Sequence, residues 1–153
     1  MQKITPFLWF DTQAEEAMNF YVSVFKNSKA GEVRRMGPDG PVFSVTFNLD
    51  GQDFLVLNAG PMFKFNEAVS FFVNCNDQEE VDYYWNKLTA DGGSESQCGW
   101  LKDKYGLSWQ IIPTALGQYL GSTDQAAFSR AMQAMLQMKK IDVATLKAAH
   151  DGK

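Results

Sequence analysis

Gly51-Gln52-Asp53-Phe54-Leu55-Val56-Leu57 lines up with Gly106-Leu107-Ser108-Trp109-Gln110-Ile111-Ile112 at a constant offset of 55, keeping a turn glycine and an aromatic residue three positions on. Further upstream, Glu15-Glu16-Ala17-Met18-Asn19-Phe20-Tyr21 lines up with Glu79-Glu80-Val81-Asp82-Tyr83-Tyr84-Trp85 at an offset of 64. One helix-like and one strand-like stretch recur in the same order, which marks an internal duplication. The fold then follows from what one copy is.

In the first copy, the apolar run KITPFLWF at 3–10 is too short for a helix and reads as a buried strand ending at Asp11-Thr12. Thr12 and Glu15 stand at capping-box spacing, and Ala14, Ala17, Met18, Tyr21 and Phe25 share one helical face. A strand near 32–36, the turn Gly37-Pro38-Asp39-Gly40-Pro41, the β-rich Val42 to Leu49, the turn Asp50-Gly51 and a strand from Asp53 to Asn58 complete a βαβββ order. The second copy repeats it: AVSFFVNC at 68–75, a cap at Asp77 with Glu80, a helix face of Val81, Tyr84, Trp85 and Leu88, a break at Asp91-Gly92-Gly93, and strands near 95–103 and 107–112.

These readings predict one α+β domain over 1–153, with module one at 1–60, module two at 66–113 and a C-terminal helical tail at 122–150. Gly117 to Gly121 reads as a connector, and Ser122 with Gln125 as another capping box. A long helix is expected to about Lys140, with one apolar stripe of Phe128, Met132, Met135 and Leu136 and another of Ala127, Ala131, Ala134 and Met138, before a short last helix from Ile141-Asp142.

With a net charge of −4 and interspersed signs, the chain has no basic stripe to neutralise phosphates, so no nucleic-acid partner is expected. No apolar run approaches the roughly 20 residues that cross a bilayer, so no membrane partner and a cytoplasmic location are expected. Cys75 and Cys98 form no CxxC pair and have no nearby histidine, which argues against a redox pair or zinc knuckle.

Three stretches, ITPFLWFDTQAEEAMNFYVSVF at 4–25, CGWLKDKYGLSWQIIP at 98–113 and AMQAMLQMKKID at 131–142, resemble the vicinal oxygen chelate (glyoxalase/bleomycin-resistance) superfamily. Within it the chain looks like the PhnB-like branch, often labelled demethylubiquinone methyltransferase. The resemblance implies two βαβββ modules curling mixed sheets into a glyoxalase-like cup. It also implies that metal-dependent members place His and Glu ligands on four strands facing that cup. Counting back from Asp11 and Asp77 puts the two histidine positions at about Ile4 and Ser70, and the two carboxylate positions fall at Leu55 and Gln110. Divalent metals need imidazole or carboxylate donors, so this donor set predicts no metal and no cofactor. The single histidine, His150, stands near the end of the tail. The methyltransferase label lacks support too, because Phe10-Asp11-Thr12-Gln13 is no glycine-rich loop and GPDGP precedes a strand.

By strand alternation, Ser70, Phe72 and Gln110 are the cup-facing candidates for ligand binding, Trp100 and Cys98 are further ones, and Trp109 is expected on the helix side. Asp103, Lys104 and Tyr105 precede Gly106 and read as a turn rather than an acid–base cluster. Glu15, Glu16, Glu79 and Glu80 read as first-turn acids that suit the helix dipole. The function expected is a metal-free protein of this fold that binds a small, partly apolar molecule, as a homodimer. The alternatives are a metal-dependent lyase or dioxygenase-type enzyme using Asp11, Asn58, Asp77 or Asp103, and a structural protein with a filled cup.

Overall fold

The computed structural model describes residues 2–153. They fall into two compact units, one ending at Lys64 and the other running Phe65–Lys153.

The first unit contains β1 (Phe7–Phe10), α1 (Ala14–Val24), β2 (Lys29–Arg35), β3 (Val42–Leu49) and β4 (Gln52–Asn58). The strand order is β1-β4-β3-β2, with β1 parallel to β4 and the other pairs antiparallel. Alternation sends Leu8, Phe10, Val45, Phe47, Phe54 and Val56 to one side, where they are buried with Ala17, Met18 and Tyr21 of α1. The first strand is shorter than its apolar run suggests. Ile4 precedes it and is 86% exposed, and Phe7 is the residue paired with Leu55.

α1 starts differently from the expectation as well. Thr12 and Glu15 form no capping box; Gln13 is the cap residue and its side chain makes no capping bond. Instead the Ala14 N–H donates to Asn58 Oδ1 at 2.9 Å, while Asn58 Nδ2 donates to the carbonyls of Thr12 and Val42, each at 3.2 Å. A side chain 44 residues away satisfies the orphan donor that a local cap would serve.

The second unit repeats the order with β5 (Ser70–Cys75), α2 (Gln78–Thr89), a 3₁₀ turn at Ala90–Gly92, β6 (Ser94–Glu95), β7 (Trp100–Lys102) and β8 (Ser108–Pro113). Its strand order, β5-β8-β7-β6, matches the first sheet, again with the first and last strands parallel. Here the expected box is present. Asp77 Oδ1 accepts from the Glu80 N–H at 2.9 Å, and Glu80 Oε2 accepts from the Asn76 N–H at 3.0 Å. Leu101, Trp109 and Ile111 are buried on the helix side with Val81, Tyr84, Trp85 and Leu88.

The residues after β8 form three helices, not two. Thr114–Leu120 is α3 where a connector was expected, α4 spans Gln125–Leu136, and α5 spans Val143–His150. Pro113 sits at the N-cap of α3, where its missing N–H costs nothing, and Leu116 anchors the helix to the tail core. Asp124 rather than Ser122 caps α4, accepting from the Ala126 and Ala127 N–H groups. The alanine stripe is the buried one. Ala131, Met138, Ile141 and Leu146 close over Ile112 and Leu116, while Leu136 is 54% exposed.

Main-chain bonds tie this tail to its own module, from the Cys98 N–H to the Met138 carbonyl at 2.8 Å and from the Gly99 N–H to the Lys139 carbonyl at 2.7 Å. Gly99 has φ +85°, which favours glycine, and a Cβ there would also crowd Ile112 Cδ1 at 2.7 Å and the Ile111 carbonyl oxygen at 3.0 Å. Gln78 adds side-chain bonds to the Ile141 carbonyl and the Val143 N–H. No helix of the described residues is long and apolar enough to cross a membrane.

Candidate functional site

Each sheet keeps one side against its helix and presents the other as an open face. On the second sheet the register places Phe72, Gln110 and Trp100 in one cross-strand row, and Ser70, Ser108, Lys102 and Ser94 in the next. Residues paired in register project to the same side, so Ser70, Phe72, Gln110 and Trp100 share a face while Trp109 lies opposite. Trp109 is indeed buried towards α2.

Within this face, Gln110 Nε2 donates to Ser70 Oγ at 3.0 Å. Phe72 is 53% exposed beside them. Lys102 forms an ion pair with Glu67, which holds the Glu67 carboxyl below the usual carboxylate range, chiefly through that hydrogen bond. The row also contains a group that sequence reasoning did not single out. Ser108 is 1% exposed and its Oγ has no hydrogen-bond partner, in a recess of about 240 Å³ lined in part by Lys102, Ser94 and Trp100. The signal was available, because alternation from Gln110 puts Ser108 on its side of β8.

Cys98 is not in a strand. It has φ +57°, precedes β7, and its Sγ lies 3.6 Å from the Met135 carbonyl of α4, so the thiol points to the tail. Cys75 is buried, and burial above all, with Glu80 and Asp77 adding to it, pushes its thiol up to about 12. It stays protonated at neutral pH and is a poor nucleophile.

The open face of the first sheet is a groove of about 430 Å³ whose lining includes Phe7, Leu55, Leu57, Ser44 and Thr46, with Glu32 and Arg34 paired at its edge. Its hydrogen-bonding capacity is small. Leu55, the repeat partner of Gln110, contributes hydrocarbon only.

Of the alternative acids and amide, Asn58, Asp77 and Asp103 are engaged structurally, while Asp11 is exposed just after β1. Asp103 Oδ1 accepts from the Tyr105 and Leu107 N–H groups at 2.9 and 3.1 Å, and Oδ2 accepts from Trp109 Nε1 at 2.9 Å, so the carboxylate builds the turn before Gly106. Asn58 and Asp77 cap α1 and α2. Glu15, Glu16, Glu79 and Glu80 lie in first helical turns, and Glu15 also pairs with Arg35 at 3.3 Å. The donors at the positions implied by the resemblance are a hydroxyl bonded to an amide, plus alkyl groups, a poor fit to any divalent cation. Among the described residues, no group of three or more His, Cys, Asp or Glu side chains could hold a metal ion.

Comparison with known proteins adds the family. The sequence model described as 3-demethylubiquinone-9 3-methyltransferase matches residues 2–112. A solved structure from Bacillus cereus, described as a putative 3-demethylubiquinone-9 3-methyltransferase, PhnB protein, is 38% identical, with a TM-score of 0.68 over 74% of this chain and 100% of that one. Protein PA1353 from Pseudomonas aeruginosa is 17% identical, with a TM-score of 0.56 over 74% of this chain and 98% of that one. A glyoxalase/bleomycin resistance protein from Albidiferax ferrireducens T118 also matches, at 12% identity and a TM-score of 0.48 over 71% of this chain and 95% of that one. A search of curated protein sequences gives no match.

Proposed function

This chain belongs to the PhnB-like 3-demethylubiquinone-9 3-methyltransferase family, and on that premise we propose that it binds a small, partly apolar molecule without a metal. The observation that carries the reading is the Gln110–Ser70 hydrogen bond. It joins two of the positions at which the superfamily resemblance implies metal ligands, and it is a neutral amide–hydroxyl contact. A dehydrated divalent ion needs anionic or imidazole donors, and neither residue offers one.

Half-buried aromatic and polar groups side by side suit a ligand that has both kinds of surface. Methyl transfer is left out of the proposal because the three residues between β1 and α1 contain no glycine and the glycine-containing stretch 37–41 joins two antiparallel strands, so neither is a glycine-rich loop between a strand and a helix. The homodimer is part of the same proposal, supported by exposed apolar side chains such as Phe7, Met36 and Phe63. Sedimentation at micromolar concentration should show the dimer, and a monomer only would remove it.

Elemental analysis of protein purified without chelator tests the main claim. The expected result is less than stoichiometric Mg, Mn, Fe, Co, Ni or Zn, with native mass spectrometry retaining a small organic molecule. One tightly bound divalent ion per chain, with ligand binding lost on chelation, would overturn the proposal.

A further inference from the structure

The two repeats treat one pair of equivalent positions in opposite ways. In the first sheet Asp53 is the repeat partner of Ser108, and Asn48 opposite it corresponds to Lys102. Asn48 Nδ2 donates to Asp53 Oδ1 at 2.7 Å, so the two polar groups satisfy each other. In the second sheet the equivalent groups do not meet. Lys102 reaches away to Glu67, and Ser108 Oγ is buried with no partner. A buried hydroxyl without a hydrogen bond is a standing cost, and an apolar side chain of similar size would remove it.

We propose that the recess over Ser108 and Lys102 is a carboxylate site, and that its ligand is a small monocarboxylic acid whose apolar or aromatic remainder lies along Trp100 and Phe72. The inference rests on the binding-protein reading and adds the chemistry of the ligand. Lys102 and Ser108 are register partners that line the same recess, so one planar carboxylate there can take the Lys102 ammonium, turned from Glu67, on one oxygen and the Ser108 hydroxyl on the other. Ser70, next in the row, already accepts from Gln110 through its oxygen, so its own proton is free to donate towards the recess.

Glu67 shows the kind of group that Lys102 holds. Its carboxylate is seated on the ammonium from the segment before β5, and its side chain is 63% exposed, so little burial opposes its departure. An incoming carboxylate takes its place on the ammonium while the Glu67 carboxylate turns out to solvent, so one negative charge is added at an exposed edge. A dianionic phosphate would bring a second negative charge with one ammonium to meet it, which favours a monoanion.

Titration of the whole protein with hexanoate, hexanol and inorganic phosphate, followed by amide NMR shifts of β5, β7 and β8, tests this. Hexanoate should bind more tightly than hexanol. Glu67→Gln, which removes the competing carboxylate, should tighten hexanoate several-fold, and Lys102→Met should weaken it roughly tenfold. Ser108→Ala should weaken hexanoate several-fold while leaving Tm unchanged or higher, because no hydrogen bond of the fold is lost; a merely structural serine would lower Tm instead. Hexanol binding as well as hexanoate, with no response to Lys102→Met, overturns the carboxylate claim and leaves the small-molecule reading in place. Phosphate binding more tightly than hexanoate overturns the monocarboxylate class, and binding by none of the three probes overturns both readings.

Discussion

The helix-facing and open sides of the two sheets have diverged to different degrees. On the helix side, Phe54 and Trp109 occupy matching positions and both are buried, as are Val56 and Ile111. On the open side, Leu55 corresponds to Gln110 in the repeat, and Asp53 to Ser108. A packed core penalises changes of volume, so the buried residues keep their character, while an open face is free to change its chemistry once the core is secure. The first sheet's open face is mainly apolar, with Ser44 and Thr46 among its lining residues, and the second carries a polar row beside aromatic rings.

The sharpest way to break this contrast is to truncate the same position on both sides. Trp109→Ala and Phe54→Ala should each cost about 3–5 kcal/mol in chemical denaturation, since each empties a buried site. Phe7→Ala and Phe72→Ala, on the open sides, should cost less than about 1 kcal/mol. Equal losses on the two sides would end the distinction.

The helix starts offer a second, smaller comparison. Asp77→Ala removes a local cap and should cost about 1 kcal/mol. Asn58→Ala should cost more, about 2 kcal/mol, because it frees the Ala14 N–H and leaves the Thr12 and Val42 carbonyls without that partner. Urea midpoints at constant m-value would rank them.

Smallest of all should be Gln110→Leu, which copies the first sheet's Leu55 into the second. Replacing a half-exposed amide bonded to one hydroxyl should change stability by about 0.5 kcal/mol or less, while reducing the affinity for any ligand that needs the polar row. A large stability loss would mean that the amide serves the fold.

The duplication and the sidedness of β8 were legible because both rest on local periodicity: Gln110 and Trp109 are adjacent, so they must face opposite ways. The Asp77 box was legible for the same reason, with donor and acceptor a few residues apart. What escaped reading depends on distant residues. Asn58 took the capping role of Thr12 from across the first unit, and α3 formed through Gly117 because Leu116 has a core to enter. Ile4 looked like strand by composition but has no strand partner. Ser108 is an ordinary strand serine until register and burial show that nothing satisfies it.

The tail's attachment at Cys98 and Gly99 uses backbone atoms, and the match to the family ends at residue 112, just before the helices that make it. Side chains complete the grip: Ile112 and Leu116 pack against Ala131, Met138, Ile141 and Leu146, and Gln78 bonds the Ile141 carbonyl and the Val143 N–H. Because the backbone grip lies immediately ahead of Trp100 and Lys102, a shift of the tail would move the start of β7 without altering a single residue on the open face.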